Sequence, residues 1–210
     1  TVSFFLLVIS AFIYRKYSFN SQTHKAYKAY SDISKKVSIS CPKNAVYISV
    51  LGQSNAANHL NFKFKKKINS RAYNFYDGNC YLIEDPVLGA SGRYGSLWTH
   101  FSQSLAKEIN QNIVLLNGAV RGASVKDWVN DKNGYYLRFL KQLKLLRKYK
   151  VKINFFIWLQ GETDGKLNTS KINYENDLMI IFNRLKNLSI YSKNLTQFLL
   201  FQASKCHAKP

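Results

Sequence analysis

The hydrophobic positions of this chain fall into short apolar runs separated by longer stretches of helical period. Val46, Ile48 and Val50 alternate with other residues and predict a buried strand that stops at Gly52. A glycine there permits a tight turn that a Cβ would obstruct, and the turn presents Gln53, Ser54 and Asn55. Residues 113–117 predict a second strand and 195–202 a fourth. The third, over 151–159, is nearly continuous in hydrophobics, as in a parallel sheet covered on both faces. Leu97, Phe101, Leu105 and Ile109 recur at four-residue spacing and predict a helix running from the N-cap Ser96 to about Asn110. Two further helices are predicted. One covers 134–149, where Tyr136, Leu137, Leu140, Leu143, Leu145 and Leu146 sit among Lys and Arg; the other covers 173–188, with Tyr174, Leu178, Ile181 and Leu185 on one side. Residues 61–79 show no sustained period and read as a surface connection, and 84–92 as a loop leading into Ser96. Strands alternating with helices indicate an α/β fold built on a parallel sheet.

Such sheets bind ligands beyond the carboxyl ends of their strands. Three of the predicted strands end there in polar or glycine residues: at Gly52, in the loop 118–124 that holds Gly122, and at Gln160 to Asp164. A serine presented where a buried strand stops is a nucleophile candidate. Ala56, Ala57 and Asn58 predict the start of a helix, whose free N–H groups would favour negative charge beside Ser54. The plain alternative is that Ser54 caps that helix. Gly122 lets a backbone N–H approach a substrate oxygen closely, as an oxyanion site requires, and its plain alternative is a strand-to-helix turn. His100, alone on its helix, reads as structural.

Composition changes this picture in three places. The net charge of +20, from 31 basic and 11 acidic residues, suits anionic partners. The lysines are scattered, however, and no helix-turn-helix, zinc-finger or RNA-recognition signature accompanies them, so no nucleic-acid partner is expected. With 46% hydrophobic and 15% aromatic residues in 210, one globular domain is expected over 44–210. Ahead of it, Val2 to Tyr14 carry no charge and Arg15 and Lys16 follow at once. Residues 1–16 therefore read as a truncated membrane anchor, with an export signal as the rival, because the run is too short to cross a hydrocarbon core of about 30 Å. The expected location is membrane-anchored or exported, with the side of the membrane open. Residues 17–43 read as a linker. Cys41, Cys80 and Cys206 form neither a metal motif nor a dense disulfide framework; one disulfide with one thiol left over fits an exported domain, and the pair is open.

Taken together, GQSNA at 52–56, AVRGASVKDW at 119–128 and WLQGETD at 158–164 resemble the SGNH hydrolases, and within them the sialate O-acetylesterase-like carbohydrate esterases. The resemblance runs from about residue 47 to 206. It implies a three-layer α/β/α, flavodoxin-like parallel sheet, incomplete at the carboxyl terminus. It implies Ser54 as nucleophile, with its own N–H, the Gly122 N–H and the Gln160 side chain as oxyanion donors; Thr163 is the alternative to Gln160. Gln53, Asn55, Glu162 and Asp164 become supporting residues that order the loops. The implied reaction is attack on the acetyl ester of an O-acetylated carbohydrate, an acyl-enzyme, then hydrolysis, with no metal and no cofactor.

Two departures stand out. Arg121 occupies the first position of a pair that is usually Gly-Gly, and a cation at the site's edge would either clash or recognise an acidic sugar. The late Asp-x-x-His block is absent: Ser204 stands three residues before His207. The expectation is a fragment with little esterase activity of its own, since a serine without its base attacks slowly. The alternatives are an inactive glycan-binding module, or an acetyltransferase in which a sugar hydroxyl takes the acyl group.

Overall fold

The computed structural model describes residues 28–64, 70–130 and 132–201. In chain order they form β1 (Ala45–Gly52), β2 (Ala72–Tyr76), β3 (Asn79–Leu82), α1 (Leu97–Glu108), β4 (Asn112–Asn117), α2 (Val125–Asn130), α3 (Tyr135–Leu146), β5 (Phe155–Leu159), α4 (Glu162–Lys166), α5 (Lys171–Lys186) and β6 (Gln197–Phe201). The strands make one sheet in the order β3-β2-β4-β1-β5-β6. Every neighbouring pair is parallel except β2 with β3, so the expected α/β fold carries one antiparallel edge strand.

That edge corrects the reading of residues 61–79 as a connection. β2 and β3 are joined at Asp77 and Gly78, both at positive φ (44° and 81°), and an Asp-Gly pair in that conformation matches the right-handed twist of a hairpin. The strands are short, five and four residues, which is why no period announced them.

Alternation along β1 sends Tyr47 and Leu51 to one face of the sheet and Ile48 and Val50 to the other. On the first face α2, α3 and α5 close a large aromatic core, centred on Trp128, which lies 6.0 Å from Trp158 and 6.2 Å from Phe139 between ring centroids. On the second face α1 covers Ile113 and Leu115. The buried side of α1 follows the predicted stripe only in part: Leu97 and Leu105 are half-buried against this core. Trp98, Ser102 and Ala106 are buried, whereas Phe101 is 38% and Ile109 40% exposed. Small residues at 102 and 106 let the helix lie close to the sheet, and Trp98 fills the remaining space.

The stretch read as a linker is tied to the domain from residue 29 onward. Ala29 bridges Ser91, Ile39 bridges Cys80, and Cys41 is disulfide-bonded to Cys80. The expected apolar segment 1–16, Cys206 and His207 lie outside the described residues. Among the described residues no helix is long and apolar enough to cross a membrane.

Candidate active site

β1 lies in the middle of the sheet, with β4 on one side and β5 on the other, and the chain changes direction across the sheet at this strand. The carboxyl end of β1 is therefore the crevice where open α/β sheets take their ligands. Three loops meet there. Val120 N donates to Gly52 O at 3.0 Å from the β4 side, and Gln53 N donates to Leu159 O at 3.1 Å on the β5 side. Gly52 makes the convergence possible: its φ is +137°, and a Cβ on it would stand 2.0 Å from Leu159 O.

Ser54 is half-buried and opens a single 3₁₀ turn, Ser54–Ala56, that ends at the extended residue Ala57. The helix expected over 56–58 does not form, so no helix dipole acts on this serine. What holds the turn is the carbonyl of Ala56, which accepts from Asn117 Nδ2 at 2.8 Å and from the indole Nε1 of Trp98 at 2.9 Å. Asn58 then pins the chain on leaving the turn, exchanging hydrogen bonds of 2.9 Å with both the N–H and the carbonyl of Val87. Sequence reasoning missed these positioning residues. Asn117 did leave a signal, a polar side chain closing an apolar strand, and it is only 2% exposed.

Among the described residues the backbone N–H groups of Ser54 and Gly122 donate to no protein acceptor. Gly122 is exposed at a φ of 73°. Two free donors on adjacent loops are what a developing oxyanion needs.

Gln160 is placed differently from its expected role. It is 2% exposed, and its Nε2 donates to Ala123 O at 3.1 Å and to the Asp164 carboxylate. Both amide hydrogens are thus committed. Turning the amide over would set its oxygen against two other acceptors, so the partners fix the assignment. Gln160 therefore ties the loops together and offers no third donor. Thr163 N is likewise used, donating to Gln53 Oε1 at 3.1 Å.

The supporting residues are brought together. Gln53 is buried and Asn55 hydrogen-bonds Glu162. Asp164, 3% exposed, accepts from Val125 N and from Thr169 Oγ1, each at 2.9 Å, which anchors α2 and α4 to the end of β5. Arg121 is exposed; its backbone N–H donates to Ser91 Oγ at 2.7 Å, and His59 Nε2 lies 3.4 Å from the same oxygen. Burial, and then the Arg121 charge, hold the His59 imidazole below its ordinary pKa.

Neither described histidine bonds the Ser54 hydroxyl: His59 faces Ser91, and His100 stacks on Phe64 with ring centroids 5.0 Å apart. Among the described residues no group of three or more His, Cys, Asp or Glu is placed to hold a metal ion.

The fold and the crevice thus define an α/β protein with its ligand crevice at the carboxyl end of β1. The profile of the carbohydrate esterases described as sialic acid-specific acetylesterases matches residues 91–202, more than half of the chain, and the chain belongs to that family. The matched residues take in the second and third sequence blocks and begin after Ser54. A crystal structure of an Arabidopsis thaliana protein is similar at 18% identity and a TM-score of 0.54, over 76% of this chain and 86% of that one. A carbohydrate acetylesterase from Xanthomonas citri is 15% identical with a TM-score of 0.47, over 74% of this chain and 41% of that one. No curated protein sequence matches the chain.

Proposed function

We propose that this chain carries the nucleophile and oxyanion half of a serine esterase that removes acetyl groups from O-acetylated carbohydrate. The observation that supports it most is the half-buried Ser54 at the switch point of the sheet, whose own N–H, like that of Gly122 on the loop tied to Gly52 by Val120 N, has no acceptor among the described residues. In this reading Ser54 Oγ attacks the acetyl carbonyl carbon, and the two amides stabilise the oxyanion. The bond to the sugar oxygen breaks, that oxygen takes a proton, and water releases acetate from the acetyl-serine. Family membership supports the ester and carbohydrate parts of the reading. The Cys41–Cys80 disulfide supports export to an oxidising compartment.

The proton from Ser54 needs an acceptor, and His59 and His100 are both engaged elsewhere. The Asp-x-x-His block implied by the resemblance is the proposed source, and it is not among these residues. The 210-residue chain is accordingly expected to hydrolyse an aryl acetate barely above background and to react only slowly at Ser54 with a serine-directed phosphonate, because both reactions need a base to take the Ser54 proton. A chain extended through an Asp-x-x-His block is expected to gain at least about a thousandfold in rate, lost again in Ser54→Ala. Turnover that survives Ser54→Ala would refute the nucleophile. The engaged histidines also favour a second reading, a glycan-binding module without turnover, which the extended chain's failure to gain activity would support.

A further inference from the structure

A groove of about 800 Å³ runs from Arg121, the residue before Gly122, between the segment 28–32 and the loop 92–94. Its charge is one-sided. Lys28, Arg93 and Arg121 line it, against a single carboxylate among the described residues, Asp32, that already accepts from Ser34 N at 3.1 Å and Ser34 Oγ at 2.7 Å. The ion pairs among the described residues are Lys36–Glu84 and Lys171–Glu175, so the three groove cations are unpaired there.

The walls of the groove are built rather than incidental. Tyr30 exchanges backbone hydrogen bonds of 2.8 Å with Ala90 and Gly89, which fixes the segment 28–32. Arg121 N is held by the fully buried Ser91. Gly92 is packed so tightly that a Cβ on it would meet Asn58 O at 2.3 Å and His59 Cε1 at 2.8 Å. Tyr94, 61% exposed, adds an aromatic surface for a sugar ring.

We propose that this groove is the subsite for a carboxylate-bearing sugar unit next to the acetylated one, read by Arg121 and Arg93 with Lys28 in support. A guanidinium offers paired N–H donors that match a carboxylate, and two of them in a concave, unpaired setting distinguish an acidic sugar from a neutral one of the same shape. The inference rests on the esterase reading only for the claim that the neighbouring sugar carries the ester.

Calorimetric titration of the 210-residue protein with an oligogalacturonate, and with the same oligomer after reduction of its carboxyl groups, tests it. The acidic oligomer is expected to bind at least about tenfold tighter, and less so as salt rises. Arg121→Gly and Arg93→Ser are each expected to remove most of that preference without shifting the thermal melt, while the control Lys141→Ser/Lys144→Ser, on the exposed face of α3, leaves it intact. Equal binding of the two oligomers overturns the proposal, as does a control that loses as much as the groove variants, because diffuse attraction to a +20 protein would then suffice. Ester turnover by the extended chain is scored separately. Selective binding with no Ser54-dependent turnover in the extended chain retires the esterase reading and keeps the groove, and turnover without selectivity does the reverse.

Discussion

The two loops that flank Ser54 are held in opposite ways. On the β5 side, Gln160 and Asp164 are buried and bonded to each other, to Val125 N and to Thr169, and Gln53 receives the N–H of Thr163. On the β4 side, Arg121 and Gly122 are exposed, and the loop is tied by Val120 N to Gly52 O and by Arg121 N to Ser91 Oγ. A buried polar network in a low-dielectric interior resists change, because losing one member strands the others. An exposed loop that needs only its backbone anchors is free to vary its side chains. The β5 side is thus fixed by side chains, whereas the β4 side presents a Gly122 N–H with no acceptor among the described residues and an Arg121 guanidinium that lines the groove.

Four perturbations break or sharpen that contrast. Gly52→Ala strikes both loops at once: the new Cβ meets Leu159 O at 2.0 Å, and the backbone stays at a φ of +137°. It is expected to cost more than about 4 kcal/mol, read as failure to reach a cooperative urea transition. A normal transition would show that the loops do not converge as described. Asp164→Ala strands Val125 N, Thr169 and Gln160, and urea unfolding should show a loss of about 3 kcal/mol. Ser91→Ala removes one acceptor from the opposite loop and is expected to cost about 1 kcal/mol. If Ser91→Ala proves as damaging as Asp164→Ala, the two sides are not held differently after all.

The smallest effect is set by pH. Burial and Arg121 lower the His59 pKa in the folded protein, so the unfolded chain binds the extra proton more readily. His59 therefore subtracts stability as pH falls through the ordinary imidazole value of 6.5, and the loss levels off below its folded pKa. The melting temperature should drop between pH 7.5 and 5.5, with a shallower drop in His59→Gln. An unchanged slope in that variant assigns the dependence to other groups.

Much of this arrangement was legible beforehand where one local rule acted alone. The alternation of Val46, Ile48 and Val50 and the stop at Gly52 predicted β1 and its turn, because a strand buried on both faces and a Cβ-free bend leave few other solutions. Helices ending near Glu108, Leu146 and Lys186 followed from their apolar period. The failures share a cause as well. Leu97, Phe101, Leu105 and Ile109 form a genuine stripe on α1, yet a second stripe, Trp98, Ser102 and Ala106, faces the sheet because it fits that surface. Period reveals that faces exist and leaves open which one finds a partner.

The same division holds at the site. Sequence alone determined which residues reach the carboxyl edge of the sheet: Ser54, Gly122 and the run from Gln160 to Asp164 lie at strand ends by their place in the chain. Only the tertiary structure decided what each is free to do. Gln160 spends both amide hydrogens on Ala123 and Asp164, whereas the N–H groups of Gly122 and Ser54 find no acceptor among the described residues. Whether a donor is spent or available depends on which acceptors other loops bring beside it, and those acceptors come from residues up to 110 positions away along the chain.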